Sequence, residues 1–187
     1  MLWRFLLRGS TETNKLTNRF LYIFFDTEFT QDLESCDGYF EHIPNLICAQ
    51  QVCSYCEAVD DLSVDCEQCG KRTPIFWQDP VGRFIEYLRL FRPFADNIYV
   101  ISQNSRGYDT QFLLRRFLEL RWVSKLIMDG TKILSMSVEN FCLLDSLNFM
   151  PMRLKNMPKA FDLTCKKRYY PHFLNKANKF RLCGPVS

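Results

Sequence analysis

The chain has 187 residues, 47% hydrophobic and 15% aromatic, with 17 Phe and a formal net charge of +3. That is enough apolar material for one domain with a real core plus an insertion, and the mild positive charge is compatible with a polyanionic partner. No stretch approaches the roughly 18 consecutive apolar residues of a membrane-spanning helix, and the apolar start Met1–Arg8 is interrupted by Arg4 with no small-residue cleavage pattern after it, so the expectation is an intracellular chain without signal peptide or membrane partner.

Residues 1–19 read as a polar N-terminal extension. Phe20 to Phe25 is an unalternating apolar run, the pattern of a strand buried on both faces in a mixed sheet. It is expected to end at Asp26, where the sequence turns to DTEFTQD. Residues 43–53 read as a second strand, and residues 54–73 form a polar segment punctuated by cysteines. Asp79-Pro80 opens a helix, Asp as cap and Pro in the first turn, with Val81, Phe84, Ile85 and Leu88 at helical spacing. Asn97–Ser102 is a strand and Tyr108–Leu120 a helix. Residues 122–146 read as two or three strands with a hairpin turn at Asp129-Gly130, and residues 153–163 as a weak helix around Pro158. No internal repeat appears in the order of residues.

The chemistry starts with Asp26 and Glu28. Residues two apart on a strand share a face, so both carboxylates can address one hard cation such as Mg²⁺ or Mn²⁺. A pair of such ions can activate water and stabilise a leaving oxygen in phosphodiester cleavage. An acidic loop after a core strand is the plainer alternative. The segment Asn104-Ser-Arg-Gly-Tyr108-Asp109 adds a loop that follows a buried strand and opens a helix. There Asp109 could bind metal, Asn104 could hold a nucleotide and Tyr108 could stack on a base; ordinary helix capping is the competing reading.

With these residues in view, the sequence resembles family B DNA polymerases. FFDTEFTQD looks like their first exonuclease motif and NSRGYDTQFLL like the second. Asp145-Ser-Leu-Asn-Phe-Met-Pro, followed by LKNMPKAF, is similar to a strand–helix segment of the protein-primed branch, that of organelles, viruses and Maverick-type transposons. The resemblance implies a ribonuclease H-like α/β fold, a mixed sheet flanked by helices that carries a DEDD 3′–5′ exonuclease. It assigns Asp26, Glu28 and Asp109 to the Mg²⁺ or Mn²⁺ pair. It assigns Asn104, Tyr108, Phe112, Ser146 and Leu147 to a single-stranded DNA 3′ end, and implies a terminal protein primer as partner. Two positions depart from the pattern: Phe29, where relatives often carry Thr, and Gln103, where a His often precedes the Asn. The third exonuclease motif, Tyr-x-x-x-Asp, is missing, since Tyr169 and Tyr170 are followed four residues on by Phe173 and Leu174. Neither Asp145 nor Asp162 has the sequence context to replace it.

The expected organisation is an exonuclease-like domain over residues 20–178 and an atypical tail over 179–187, with no polymerase palm: a fragment of a DNA-directed DNA polymerase that takes part in DNA replication. The alternative is a catalytically incomplete, single-stranded-DNA-binding remnant of a mobile element.

Cys53, Cys56, Cys66 and Cys69 form C-x2-C-x9-C-x2-C, the spacing of a structural Zn²⁺ site with four thiolates and no open position. Free thiols or redox pairs are the alternative. This inserts a zinc-knuckle loop at about residues 50–73. Lys71 and Arg72 read as its solvated rim, with phosphate contact as the other option. Cys36, Cys48, Cys142, Cys165 and Cys183 lack ligand spacing and are expected to be buried small hydrophobes. Arg115, Arg116 and Arg121 form a basic cluster, read as exposed helical arginines or a nucleic-acid face. Lys166–His172 mixes bases with aromatics, a composition suited to single strands.

Overall fold

A computed structural model describes residues 19–34, 38–105, 107–122 and 124–163. The expectations for residues 1–18, Cys36, Cys165, Lys166–His172, Tyr169, Tyr170, Phe173, Leu174, Cys183 and the tail lie outside the described residues.

Seven strands form one mixed sheet in the order β3-β2-β1-β4-β7-β6-β5. They are β1 (Phe20–Glu34), β2 (Phe40–Cys53), β3 (Ile75–Trp77), β4 (Asn97–Ser102), β5 (Ser124–Asp129), β6 (Lys132–Val138) and β7 (Phe141–Asp145). β4 is parallel to both β1 and β7; the other pairings are antiparallel. Residues 122–146 therefore resolve into three strands, and Gly130 supplies the left-handed φ of 59° at the β5–β6 turn. The expected fold class holds as far as its architecture goes: a mixed sheet with flanking helices.

Helix α1 (Pro80–Leu90) starts where Asp79-Pro80 requires, with the Asp79 carboxylate accepting the Gly82 N–H at 3.2 Å. Phe84, Ile85 and Leu88 are fully buried, and the Phe84 ring packs 5.1 Å from Phe25 and 5.4 Å from Phe76. Helix α2 (Asp109–Glu119) buries Leu113 and Phe117, and Phe117 stacks on Trp122, which in turn stacks on Phe141. The segment after β7 is a 3₁₀ turn (Ser146–Asn148), a second 3₁₀ turn (Leu154–Asn156) and a short helix α3 (Met157–Ala160).

β1 differs from its expected form. Instead of ending at Asp26 it continues to Glu34, and within Phe20–Phe25 only alternate residues, Leu21, Ile23 and Phe25, are buried, with Tyr22 and Phe24 half-buried. The reason lies in its partners. β4 leaves β1 after the pair Phe24–Ile101, but β2 pairs with it from Leu21–Cys53 to Glu34–Phe40. A polar strand with an antiparallel partner remains a strand. The ladder shifts register between Glu28 and Phe29, opposite the extra residue Asn45.

Candidate functional site

The parting of β1 from β4 opens a crevice at the carboxyl ends of the parallel strands, where open α/β sheets receive ligands. Asp26 and Glu28 lie on β1 just beyond the parting, on one face, with Asp26 exposed and Glu28 partly so. On the parted edge the Thr27 N–H has no strand partner in β4. Asp109, in the first turn of α2, accepts it at 3.2 Å. The second motif is thereby fastened to the first across 82 positions of sequence.

Burial pushes the Asp109 carboxyl up to about 6; a hydrogen bond from the Thr27 side chain opposes the rise, and the charge of Asp26 adds to it. The three carboxylates Asp26, Glu28 and Asp109 come from neighbouring elements, with Asp26 close enough for its charge to act on Asp109. They are hard oxygen donors bordering one crevice, the donor type suited to Mg²⁺ or Mn²⁺.

Cys48 corrects an expectation. It sits opposite Asp26 in the β1–β2 ladder, exposed rather than buried, and its thiol is raised by desolvation and then by the charges of Asp26 and Glu28. The pairing places it at the border of the carboxylate face. Cys142 is partly buried.

The expected DNA-contacting residues fall into two groups. Tyr108 and Phe112 meet rings from the β1–β2 hairpin. Tyr108 stacks on His42 with centroids 4.4 Å apart and planes 9° apart, and Phe29 lies 5.5 Å from Tyr108, 4.6 Å from His42 and 6.5 Å from Phe112. The second group gathers on Asp145, a carboxylate only 1% exposed. Its Oδ1 accepts the N–H of Asn104 at 2.8 Å and that of Leu147 at 2.9 Å. The Ser146 hydroxyl donates to Ser102 O and meets Oε1 of Gln103, while Nε2 of Gln103 donates to Met152 O at 2.9 Å. Asn104 holds a left-handed φ of 61°, a conformation Asn tolerates. Asp145 thus organises the loop; the sequence reading gave it no role because its importance lies in two backbone amides that no motif encodes. His42 was missed for a similar reason: a lone His in EHIP carries no spacing signal.

The four cysteines converge. Sγ–Sγ distances are 3.7 Å for Cys53–Cys56 and 3.8 Å for both Cys53–Cys66 and Cys56–Cys69. A tetrahedron with metal–sulfur bonds of about 2.3 Å has edges near 3.8 Å, so the quartet fits a metal such as zinc and leaves no open position. The Cys53 thiol is lowered to about 5, chiefly by a hydrogen bond from Cys69, whose own thiol is raised. Gly70, at φ 72°, closes the knuckle through paired backbone hydrogen bonds with Cys66.

Arg72 is no solvated rim. It is 1% exposed, and its Nη1 donates to Val59 O and Asp61 O, both at 3.0 Å, pinning the loop between the knuckles. Gln51 is fully buried, donating to Cys69 O and accepting from the Tyr87 hydroxyl at 2.9 Å. The insertion is tied to β2 and α1 through these contacts. Arg115 and Arg116 both pair with Glu119, at 3.5 Å and 2.8 Å.

Among the described residues no helix is long and apolar enough to cross a membrane. Comparison with known proteins gives three findings. The family profile of DNA polymerase type B, organellar and viral, matches residues 90–184, just over half of the chain. No curated protein sequence matches. Among solved structures, the chain is similar to Phi29 DNA polymerase, solved with primer-template DNA and incoming nucleotide substrates, at TM-score 0.54 and 11% identity over 83% of this chain and 25% of that one. It also matches the family B DNA polymerase of the hyperthermophilic archaeon Pyrobaculum calidifontis, at TM-score 0.49 and 16% identity over 81% of this chain and 19% of that one. At such identities the first likeness is one of fold. The chain spans a quarter or less of the length of these polymerases.

Proposed function

The chain belongs to the type B DNA polymerases, organellar and viral, and on that premise we propose that its described domain is the 3′–5′ exonuclease part of such a polymerase. The observation that carries this reading is the Asp109–Thr27 hydrogen bond, which brings the second acidic motif against the strand bearing Asp26 and Glu28. In this reading Asp26, Glu28 and Asp109 hold Mg²⁺ or Mn²⁺. Such ions, when bound, supply an activated water and stabilise the leaving 3′ oxygen.

The remaining roles fall to the chain itself. The Asp145 carboxylate fixes the backbone of Asn104 and Leu147, so that Asn104, Ser146 and Leu147 present one edge to the terminal nucleotides. Tyr108 and Phe112 supply aromatic surface for an unstacked base. The zinc knuckle holds one end of β2, whose ladder with β1 sets the Asp26–Glu28 face. Within a longer polymerase the substrate would be the single-stranded 3′ end generated during DNA replication, and the terminal protein primer the partner implied by the resemblance.

The test is release of mononucleotides from single-stranded DNA in Mn²⁺. Wild-type protein is expected to release them and Asp26→Ala to abolish release; equal rates in the two would overturn the nuclease reading. A second reading, a DNA-gripping domain of mobile-element origin that does not cut, is favoured by Phe173 and Leu174 standing four residues after Tyr169 and Tyr170, where Tyr-x-x-x-Asp would place a carboxylate. It predicts salt-sensitive binding with no hydrolysis.

A further inference from the structure

Tyr108 is 49% exposed at the mouth of the crevice, directly before the helix that begins with Asp109. A half-exposed tyrosine ordinarily samples several rotamers. Here it is confined from one side. His42, on β2, covers one face of its ring in a near-parallel stack, and Phe29, on β1, packs against both rings. The imidazole is itself anchored, since Nε2 meets the side-chain amide of Gln31 across the hairpin. Its Nδ1 is buried with no hydrogen-bond partner among the described residues.

From this geometry we infer that His42 is a positioning residue for the 3′-terminal base. With Phe29 it makes Tyr108 a fixed wall, one face filled by imidazole and the other left for a nucleobase. Its two braces, Phe29 and His42, stand on the same hairpin that carries Asp26 and Glu28. The stacked terminal base is therefore positioned relative to those carboxylates through the β1–β2 hairpin, with Phe29 and His42 at its two register shifts, rather than by a free side chain. This inference rests on the exonuclease reading, in that it takes the ligand to be a single-stranded DNA end. It goes beyond that reading in assigning the end-stop to β2.

The test uses the full chain and an oligodeoxynucleotide with 2-aminopurine either at the 3′ end or six positions inward. Ca²⁺ replaces Mn²⁺ to suppress cleavage. With wild-type protein, the terminal 2-aminopurine is expected to be quenched by stacking and the internal one much less so. His42→Ala should remove the terminal quench and weaken end binding roughly tenfold, the size of one lost base stack. His42→Phe keeps a ring and should stay within about twofold of wild type in affinity. Retention of the terminal quench in His42→Ala, or equal loss in both variants, overturns the bracing role while leaving the exonuclease reading intact. Absence of DNA binding by wild-type protein overturns both. A thermal melt of each variant separates loss of the wall from loss of the fold.

Discussion

Asp109 answers two demands that pull apart. Its place in the proposed metal site asks for a carboxylate, and its burial favours the carboxylic acid, raising it from 3.8 to about 6. For a group whose native value lies above its unfolded value, the folded state is favoured most when the proton is on. Its contribution to stability is full below about pH 3.8 and is lost as pH rises through about 6. Asp109→Asn keeps an oxygen for the Thr27 N–H and removes the charge. In buffer without Mg²⁺ or Mn²⁺, urea unfolding should show the variant gaining on wild type from pH 4.5 to 7.5, by on the order of 1–3 kcal/mol at the upper end. A difference that stays flat with pH would show that Asp109 carries no burden from its burial. Added Mn²⁺ should restore wild type at pH 7.5 and leave the variant unmoved, because a cation favours the charged form.

At the scale of elements, the cysteine insertion and β2 act together. Gln51 joins Cys69 O to the Tyr87 hydroxyl, and backbone bonds run from Ala49 N to Pro74 O and from Gln51 N to Arg72 O. Metal release, by chelation or Cys69→Ser, should therefore loosen β2, β3 and the Arg72 loop, at a cost of several kcal/mol. Amide hydrogen exchange checks this: faster exchange is expected from Gln50 to Trp77, with β5–β7 still protected. Uniform acceleration would mean that the insertion holds the whole sheet, and no change would mean that the thiols are structurally idle. The four cysteines and the start of α1 were legible in the sequence because their signals are local: a fixed spacing, and an Asp-Pro that caps its own helix. The extension of β1 to Glu34 was not, since DTEFTQDLE has the composition of a loop and is held as a strand only by β2. Arg72 was misread for the same kind of reason. A charge beside a polar loop looks solvated until the carbonyls of Val59 and Asp61 are seen to fold over it. The carboxylate positions Asp26, Glu28 and Asp109 could be named from motif order, whereas Asp145 and His42 act through contacts made 41 and 66 positions away, with Asn104 and Tyr108.

Across the whole molecule, the net charge of +3 is too small to attract DNA strongly by itself. Part of the positive charge near the second motif is also neutralised locally, because Arg115 and Arg116 both lean on Glu119. At the crevice the local balance is the reverse of the global one. Asp26, Glu28 and Asp109 border it, so an approaching phosphate meets like charge unless cations are bound. Divalent ions should then control affinity as well as chemistry. Without added divalent ions, wild-type protein is expected to bind a single-stranded oligonucleotide more weakly than Asp26→Ala, because the variant has one fewer repelling carboxylate. With Mn²⁺ or Ca²⁺ the order should invert, since only the wild type can hold the full set of ions that bridge to phosphate. The contrast should be several-fold at low ionic strength and should shrink near 0.15 M salt, where screening acts within about 8 Å. Fluorescence anisotropy at two salt concentrations, with and without Ca²⁺, is sufficient to see it. An affinity that is the same with and without divalent ions, in both proteins, would place the DNA away from the carboxylates and remove the electrostatic basis of the proposed site.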